Sequence, residues 1–196
     1  MEFLDKNYWE ERHQNSDTPW HIGLVSTPIK EYIDQIKNKE IAVLIPGAGH
    51  PHEAAYLAEH GFDDITICDI SPTAIHNIQS VLHDYPKIKY LCADFFNIEG
   101  NYDLILEQTF FCALHPSLRE KYVDKMYSLL NLNGTLTGVL FASHFDRSGP
   151  PFGGSEYEYK SLFSTKLHIH LIEMCYNSVE PRSGNELFFI CKKDLI

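Results

Sequence analysis

The segment Ile41-Ala42-Val43-Leu44-Ile45-Pro46-Gly47-Ala48-Gly49 sets the architecture of this chain. Its first five residues are apolar without polar alternation, which predicts a strand buried on both faces. Gly47 and Gly49 allow a sharp turn and let a ligand approach the bare backbone. Residues 52–60 then form a helical pattern that Gly61 stops. The segment therefore predicts a strand, a glycine turn and a helix in direct succession.

An acidic residue follows the next predicted strand. Asp69 ends the apolar run of residues 65–68, twenty residues after Gly49. This arrangement is typical of nucleoside sites, where the acid accepts hydrogen bonds from the two ribose hydroxyls. A tight turn followed by a solvated aspartate is the simpler structural alternative. Dinucleotide sites also need a third glycine beside the pyrophosphate, and His52 stands there. The pattern therefore favours S-adenosylmethionine, which has no pyrophosphate, over NAD.

The rest of the chain alternates between strand and helix patterns. Further strands are predicted at residues 88–93, 102–107, 135–143, 167–176 and 187–192, and helices at 6–13, 28–37, 71–85, 116–130 and 156–164. This order predicts an α/β fold with a doubly wound, seven-stranded, mostly parallel sheet and a C-terminal antiparallel hairpin. We expect one domain over residues 1–196. Residues 1–40 precede the first core strand and carry both tryptophans, Trp9 and Trp20, which suggests a lid over the ligand.

Several side chains follow predicted strands, where ligands of such sheets bind. Asp94 follows the third strand and suits the exocyclic amine of adenine, or else caps a turn, and Phe95 offers a backbone N–H or a ring face. Gln108 follows the fourth strand. Phe110 and Phe111 come next and predict the floor of a dry pocket, and the turn with Arg182 is expected at the same edge. Each of these signals is weak alone, and their shared placement at one edge of the sheet is the stronger indication of a site.

The composition narrows the partners. The formal net charge is -11 and the pI is about 5.4, which disfavours a nucleic-acid substrate and favours a small molecule. Five cysteines occur without a Cys-x-x-Cys pair, as in reduced cytoplasmic proteins. No apolar run is long enough to span a membrane. We expect a cytoplasmic protein that is a monomer or a weak homodimer.

Two histidines were considered as metal ligands. His168 and His170 lie on one face of a predicted strand. Two ligands alone make a poor metal site, and the sequence indicates no third one. The prediction is therefore that the chain has no metal site.

The chain resembles the thiopurine S-methyltransferase family, which includes plant and bacterial thiol and halide methyltransferases. The resemblance covers nearly the whole length, and its most specific parts lie in the second half of the chain. The matching segments are Tyr8-Trp9-Glu10-Glu11, Thr18-Pro19-Trp20, Ile45-Pro46-Gly47-Ala48-Gly49, Cys68-Asp69-Ile70-Ser71, Tyr102-Asp103-Leu104-Ile105, Phe110-Phe111-Cys112-Ala113-Leu114 and Gly149-Pro150-Pro151-Phe152.

The resemblance implies a Rossmann-like methyltransferase fold and S-adenosylmethionine as the cofactor, with S-adenosylhomocysteine as its product. His13 and Gln108 occupy cofactor-contact positions at which the plant enzymes carry tryptophan and tyrosine, and the thiopurine enzymes carry arginine at the Gln108 position. The implied cofactor contacts are Trp9, His13, Trp20, Gly47, Asp69, Asp94, Phe95 and Gln108, and Gly49 joins them from the turn pattern.

The implied acceptor is a small soft nucleophile: a thiol, a thiopurine-like heterocycle, a halide or a similar anion. Phe110, Phe111 and Phe152 are expected to wall its pocket, with Arg182 nearby. No catalytic residue is assigned, because a thiol with a pKa of about 8.5 ionises with little help. An NAD(P)-linked oxidoreductase and a non-catalytic S-adenosylmethionine-binding module remain as alternatives.

Overall fold

The computed structural model describes residues 4–146 and 148–194, which contain seven strands in one sheet. The strands are β1 (Val43–Pro46), β2 (Ile65–Asp69), β3 (Lys89–Cys92), β4 (Tyr102–Gln108), β5 (Leu130–Phe141), β6 (His168–Met174) and β7 (Glu186–Lys192). Their spatial order is β3-β2-β1-β4-β5-β7-β6. The predicted seven-stranded sheet is confirmed.

The sheet is parallel from β3 to β5 and antiparallel at its other end. β1 pairs in parallel with β2 and β4, and β4 pairs in parallel with β5. β7 lies between β5 and β6 and is antiparallel to both. The predicted C-terminal hairpin is therefore present, with its second strand inserted next to β5.

Helices cover both faces of the sheet. They are α1 (Lys6–Gln14), α2 (Thr27–Gln35), α3 (His52–Glu59), α4 (Pro72–Val81), α5 (Arg119–Leu129) and α6 (Glu156–Phe163). Apolar residues of α2, α3 and α4 pack with those of β1 and β2 in one buried cluster. Residues of α5 and α6 pack with β5 and β7 in the other. The two clusters make the sheet doubly wound, as its alternating strand and helix patterns predicted.

Several predicted boundaries differ from those in the structure. The predicted helix over 116–130 begins as a 3-10 turn and ends at Leu129, and β5 starts at once at Leu130. The stop signal over 131–134 is accommodated inside β5 as a register shift, where Asn133 has a φ of 64°. Helix α4 ends at Val81 rather than near Tyr85, because the residue before Pro86 avoids helical geometry.

The strand order indicates which edge of the sheet binds ligands. β1 and β4 are neighbours at the centre, and the chain winds outward from them in opposite directions. Open sheets bind ligands in the crevice at such a switch point, beyond the carboxyl ends of the strands. No helix of the described residues is long and apolar enough to cross a membrane.

Candidate active site

A cavity of about 640 Å³ lies at the carboxyl ends of the central strands. This volume is within the range usual for small-molecule sites. The predicted site residues that line it are Trp9, His13, Trp20, Gly47, Gly49, Asp69, Asp94, Phe95, Phe110 and Arg182. The structure thus gathers residues from the N-terminal segment, four strand ends and the turn before β7 around one space.

The glycine turn after β1 forms part of the cavity wall. Gly47 and Gly49 both have a φ of 57°, a conformation that favours glycine. A Cβ atom at Gly47 would overlap the Phe110 ring, so the close approach itself requires glycine. The Gly49 N–H donates to Asp69 Oδ2 at 2.9 Å, which ties the turn to the end of β2.

Asp69 is a buried carboxylate, 7% exposed, at the tip of β2. Oδ2 accepts the Gly49 N–H, and Oδ1 accepts the Ser71 N–H at 2.9 Å. Burial raises the pKa of Asp69, and these backbone donors and the neighbouring His13 act against that rise. Each carboxylate oxygen has a second acceptor position, so the group retains capacity for hydroxyl donors.

Asp94 and Phe95 lie at the neighbouring strand end. Asp94 Oδ1 accepts the Phe96 N–H at 2.9 Å and caps the short 3-10 turn Phe95–Asn97. The capping interpretation is therefore right, and the residue still lines the same cavity as Asp69. The Phe95 ring meets Phe110 edge-on, with ring centres 5.1 Å apart.

The N-terminal segment lies over the cavity and is attached to α4. Trp9 and Trp20 meet edge-on with ring centres 5.6 Å apart. Glu10 accepts hydrogen bonds from Ser71 Oγ at 2.6 Å, the Thr73 N–H at 3.1 Å and Thr73 Oγ1 at 2.6 Å. Partial burial raises the pKa of Glu10, but these hydrogen bonds prevail and lower it to about 2. Glu10 therefore anchors α1 as a carboxylate.

A row of histidine rings joins the same segment to the glycine turn. His50 stacks on His21 with ring centres 3.8 Å apart, and His21 Nε2 lies 2.8 Å from His52 Nε2. His13 continues the row, 5.9 Å from His50. Burial and the neighbouring rings lower the pKa of His50 to about 4. At neutral pH the His50 ring is uncharged, and it packs against His13 and His21 of the N-terminal segment.

Arg182 lines the cavity from the turn before β7. It is 9% exposed and pairs with Glu186 Oε1 at 3.3 Å. Its Nη2 donates to the Trp20 carbonyl at 3.0 Å, so it also holds the second tryptophan. The guanidinium lies 5.7 Å from the centre of the Phe141 ring, another lining residue. This part of the cavity combines one cation with aromatic walls.

Three predicted residues lie outside the lining that the described residues form. Gln108 Oε1 accepts from Ser26 Oγ at 2.7 Å, on the α2 side of the sheet. Phe111 is 1% exposed and packs edge-on against Tyr122 in the core. Phe152 lies against His115, and the preceding Pro150 and Pro151 face the cavity instead. Adjacent residues point in different directions, so the predicted aromatic floor reduces to Phe110.

Glu107 is a residue that the sequence interpretation missed. It is fully buried, and Oε1 accepts the N–H groups of Phe110 at 2.8 Å and Phe111 at 2.9 Å. Its Oε2 accepts the Tyr122 hydroxyl at 2.8 Å. Burial raises the pKa of Glu107 to about 7. These bonds support Thr109, which lines the cavity with a φ of 61°. An acid directly after Leu104-Ile105-Leu106 was the available signal.

Arg12 is a second lining residue that was missed. It donates to the Tyr8 hydroxyl at 3.1 Å and lies 5.5 Å from the centre of the Trp20 ring. Residues three and four apart share a helix face, so the spacing from Trp9 to Arg12 and His13 was the available signal. Helix α1 thus brings a cation to the cavity together with aromatic rings.

The residues around the cavity fit S-adenosylmethionine. A buried carboxylate at the end of β2 suits a ribose diol, and the glycine turn bonded to it lines the same cavity. Aromatic faces of the lid suit a sulfonium cation. Together with the strand order, these features define an S-adenosylmethionine-dependent methyltransferase.

The fold is shared with solved methyltransferases. The structure of Burkholderia thailandensis 1,6-didemethyltoxoflavin-N1-methyltransferase, with bound 1,6-didemethyltoxoflavin and S-adenosylhomocysteine, superposes with a TM-score of 0.80. The alignment covers 97% of this chain and 87% of that chain at 16% identity. The chain belongs to the thiopurine S-methyltransferase family, whose model matches residues 4–191.

Curated plant relatives are more similar in sequence. "Probable thiol methyltransferase 2" of Arabidopsis thaliana is 30% identical over 91% of this chain and 81% of its own length. "Thiocyanate methyltransferase 1" of Brassica oleracea is 28% identical over 94% of this chain and 84% of its own length. Family membership decides between the two cofactors that the glycine turn left open, in favour of S-adenosylmethionine.

Proposed function

We propose that this protein transfers the methyl group of S-adenosylmethionine to a small soft nucleophile: a thiol, a thiopurine-like heterocycle, a halide or a similar anion. The observation that supports this most is one cavity with a nucleoside-binding carboxylate, Asp69, and a largely aromatic region that carries Arg182. The named activities of the plant relatives support the same acceptor class.

The chain's own residues bind and orient both partners in this proposal. S-adenosylmethionine supplies an activated methyl group on a sulfonium that is a good leaving group. Asp69 accepts the ribose hydroxyls, Asp94 the adenine amine, and Trp9 and Trp20 cover the bound cofactor. Holding two reactants in line in this way is worth about 7–11 kcal/mol of the barrier.

The acceptor region selects soft and anionic groups. Phe110, Phe141 and Pro151 line it and exclude water, which favours a weakly hydrated sulfur or iodide over oxygen nucleophiles. Arg182, whose charge is partly offset by its pair with Glu186, supplies a guanidinium for a thiolate or halide. Since a thiol with a pKa of about 8.5 ionises readily beside a cation, no general base is required.

The segment before β1 is proposed to act as a lid. Its described part is held by Glu10, by the histidine row and by the bond from Arg182 to the Trp20 carbonyl. Residues 1–3 lie outside the described residues. Within this segment α2 packs into the core through Ile29 and Ile33, so opening is confined to the part before α2. Breaking the polar and ring contacts of that part would admit cofactor and acceptor.

The remaining parts of the proposal concern the setting of the protein. We expect one methyltransferase domain over residues 1–196 and a monomer or weak homodimer. The net charge of -11 supports a small-molecule rather than a nucleic-acid substrate. The cysteines at 68, 92, 112, 175 and 191 are free, which supports a reducing cytoplasmic setting.

The test is methyl transfer from labelled S-adenosylmethionine to a panel of small thiols, a thiopurine, thiocyanate and iodide. We expect turnover with at least one of them, and Arg182→Gln should raise the KM of anionic acceptors at least about tenfold. Lys160→Gln, in an exposed ion pair, is the matched control and should have no effect. Binding of S-adenosylhomocysteine without turnover of any acceptor would support the non-catalytic alternative instead.

A further inference from the structure

A cluster of metal-binding side chains lies far from the cavity. His168 and His170 project from β6, the edge strand of the sheet, and Asp194 follows the end of β7. Their ligand atoms all lie within 4.8 Å of one another. His168 Nδ1 is 3.6 Å from Asp194 Oδ2, and the two histidine ring centres are 4.8 Å apart. Within the described part of the chain, this is the one such group of three.

The tertiary structure supplies the third ligand that the sequence did not indicate. β6 and β7 pair antiparallel with His168 opposite Lys192, and Asp194 lies two residues beyond Lys192, just past the end of β7. A register shift between Ile169 and Leu171 falls at His170. Such a shift re-aims the side chain of the extra residue. The three ligands therefore come together through strand pairing and not through local sequence spacing.

The donor set identifies the class of ion. Two imidazoles and one carboxylate suit borderline first-row transition metals, whereas calcium and magnesium prefer oxygen ligands alone. All three side chains are exposed, so they can adjust to metal–ligand distances and leave coordination positions for water. We propose that His168, His170 and Asp194 form a binding site for a divalent transition-metal cation such as Zn²⁺.

The position of the site suggests a structural role. His168 begins β6 at the end of the sheet opposite the cavity, where β7 finishes and the β4–β5 ladder begins. A bound cation would tie the exposed edge strand to the last residues of the described chain. Because the ion would bind the folded chain, it should raise the melting temperature without changing methyl transfer.

Lys192 gives the proposal a sharper test. It lies directly opposite His168 in the ladder, and directly opposite residues share one face of the sheet, so we expect its ammonium to oppose a bound cation. Lys192→Gln should therefore tighten binding, which a non-specific surface effect would not predict.

The experiment titrates ZnCl₂ into metal-stripped protein by calorimetry, with visible absorption of bound Co²⁺ as a second readout. We expect one ion per chain, and His168→Ala, His170→Ala and Asp194→Asn should each weaken binding at least about tenfold. His83→Ala is the matched control, since His83 is an exposed histidine 3.4 Å from Asp84.

Melting curves in EDTA check that all variants fold. Zn²⁺ should raise the melting temperature of the wild type and of His83→Ala, and not that of the three ligand variants. The proposal would be overturned if any of the three ligand variants bound Zn²⁺ as tightly as the wild type does. It would also be overturned if His83→Ala lost Zn²⁺ binding to the same extent as the ligand variants. Absence of saturable Zn²⁺ binding to the wild type would do the same.

Discussion

Replacing Asp69 with alanine should weaken cofactor binding more than any other single change at the site. The carboxylate faces a shared cavity while it is held by the N–H groups of Gly49 and Ser71. A hydrogen bond to a charged group is worth about 1.5–3 kcal/mol, and tenfold in affinity corresponds to about 1.4 kcal/mol. Loss of one ribose bond should therefore raise the Kd of S-adenosylhomocysteine about tenfold, and loss of both about a hundredfold.

The same substitution also leaves two buried N–H groups without an acceptor. At about 1–3 kcal/mol for each group, this should lower the free energy of unfolding by about 2–6 kcal/mol and loosen the glycine turn, so affinity alone does not isolate the ribose contact. Calorimetry with S-adenosylhomocysteine and its 2′,3′-dideoxy analogue separates the two effects. The wild type should bind the dideoxy analogue much more weakly than S-adenosylhomocysteine. Asp69→Ala should bind the two ligands with nearly equal affinity.

Asp64→Asn is the control for this comparison, because Asp64 carries an exposed ion pair with Lys89 at the other end of β2. It should bind both ligands as the wild type does. An equal preference for the hydroxylated ligand in the wild type and in Asp69→Ala would refute the assigned role of the carboxylate. An unchanged Kd in the variant would do so directly.

Three further predictions concern the turn, the lid and the buried acid. Gly47→Ala should raise the Kd at least about tenfold, because it adds both backbone strain and overlap with Phe110; Gly61→Ala, with positive φ but open space, should leave binding unchanged by calorimetry. Glu10→Gln should weaken binding of the same ligand about threefold to tenfold by loosening the lid, and unchanged binding would contradict that function. Burial raises the pKa of Glu107 to about 7 from an ordinary value of 4.5, so its contribution to stability is complete below pH 4.5 and is lost as the pH rises through 7. Glu107→Gln should flatten the dependence of the unfolding free energy on pH over this range, as measured by urea unfolding at a series of pH values. An unchanged pH dependence in the variant would count against the shifted pKa.

The architecture was predictable because it depends on periodicity. Continuous apolar runs at β1 and β2, the glycines between them and the acid at the end of β2 are local features, and burial of those runs leaves few arrangements of the chain. Boundaries were less predictable. Asn133 and Gly134 are residue types that predict a turn, but in the structure they lie within β5, where its pairing with β4 shifts register.

The composition of the cavity was only partly predictable. Phe110 and Phe111 are adjacent and chemically alike, but Phe110 faces the cavity and Phe111 enters the core beside Tyr122. The difference depends on Glu107, whose carboxylate fixes the backbone of both residues. In an irregular segment the orientation of a side chain depends on contacts with residues distant in sequence, which a local sequence pattern does not reveal.

The amino-acid sequence alone therefore determined the succession of strands and helices along the chain, the glycine turn and the carboxylate at the tip of β2, because hydrophobic burial and backbone conformation act locally. Only the tertiary structure decided which neighbours meet. It directed Gln108 toward Ser26, anchored α1 through Glu10, and brought Asp194 beside His168. These pairings depend on strand register and helix packing, which arise only when the whole sheet has formed.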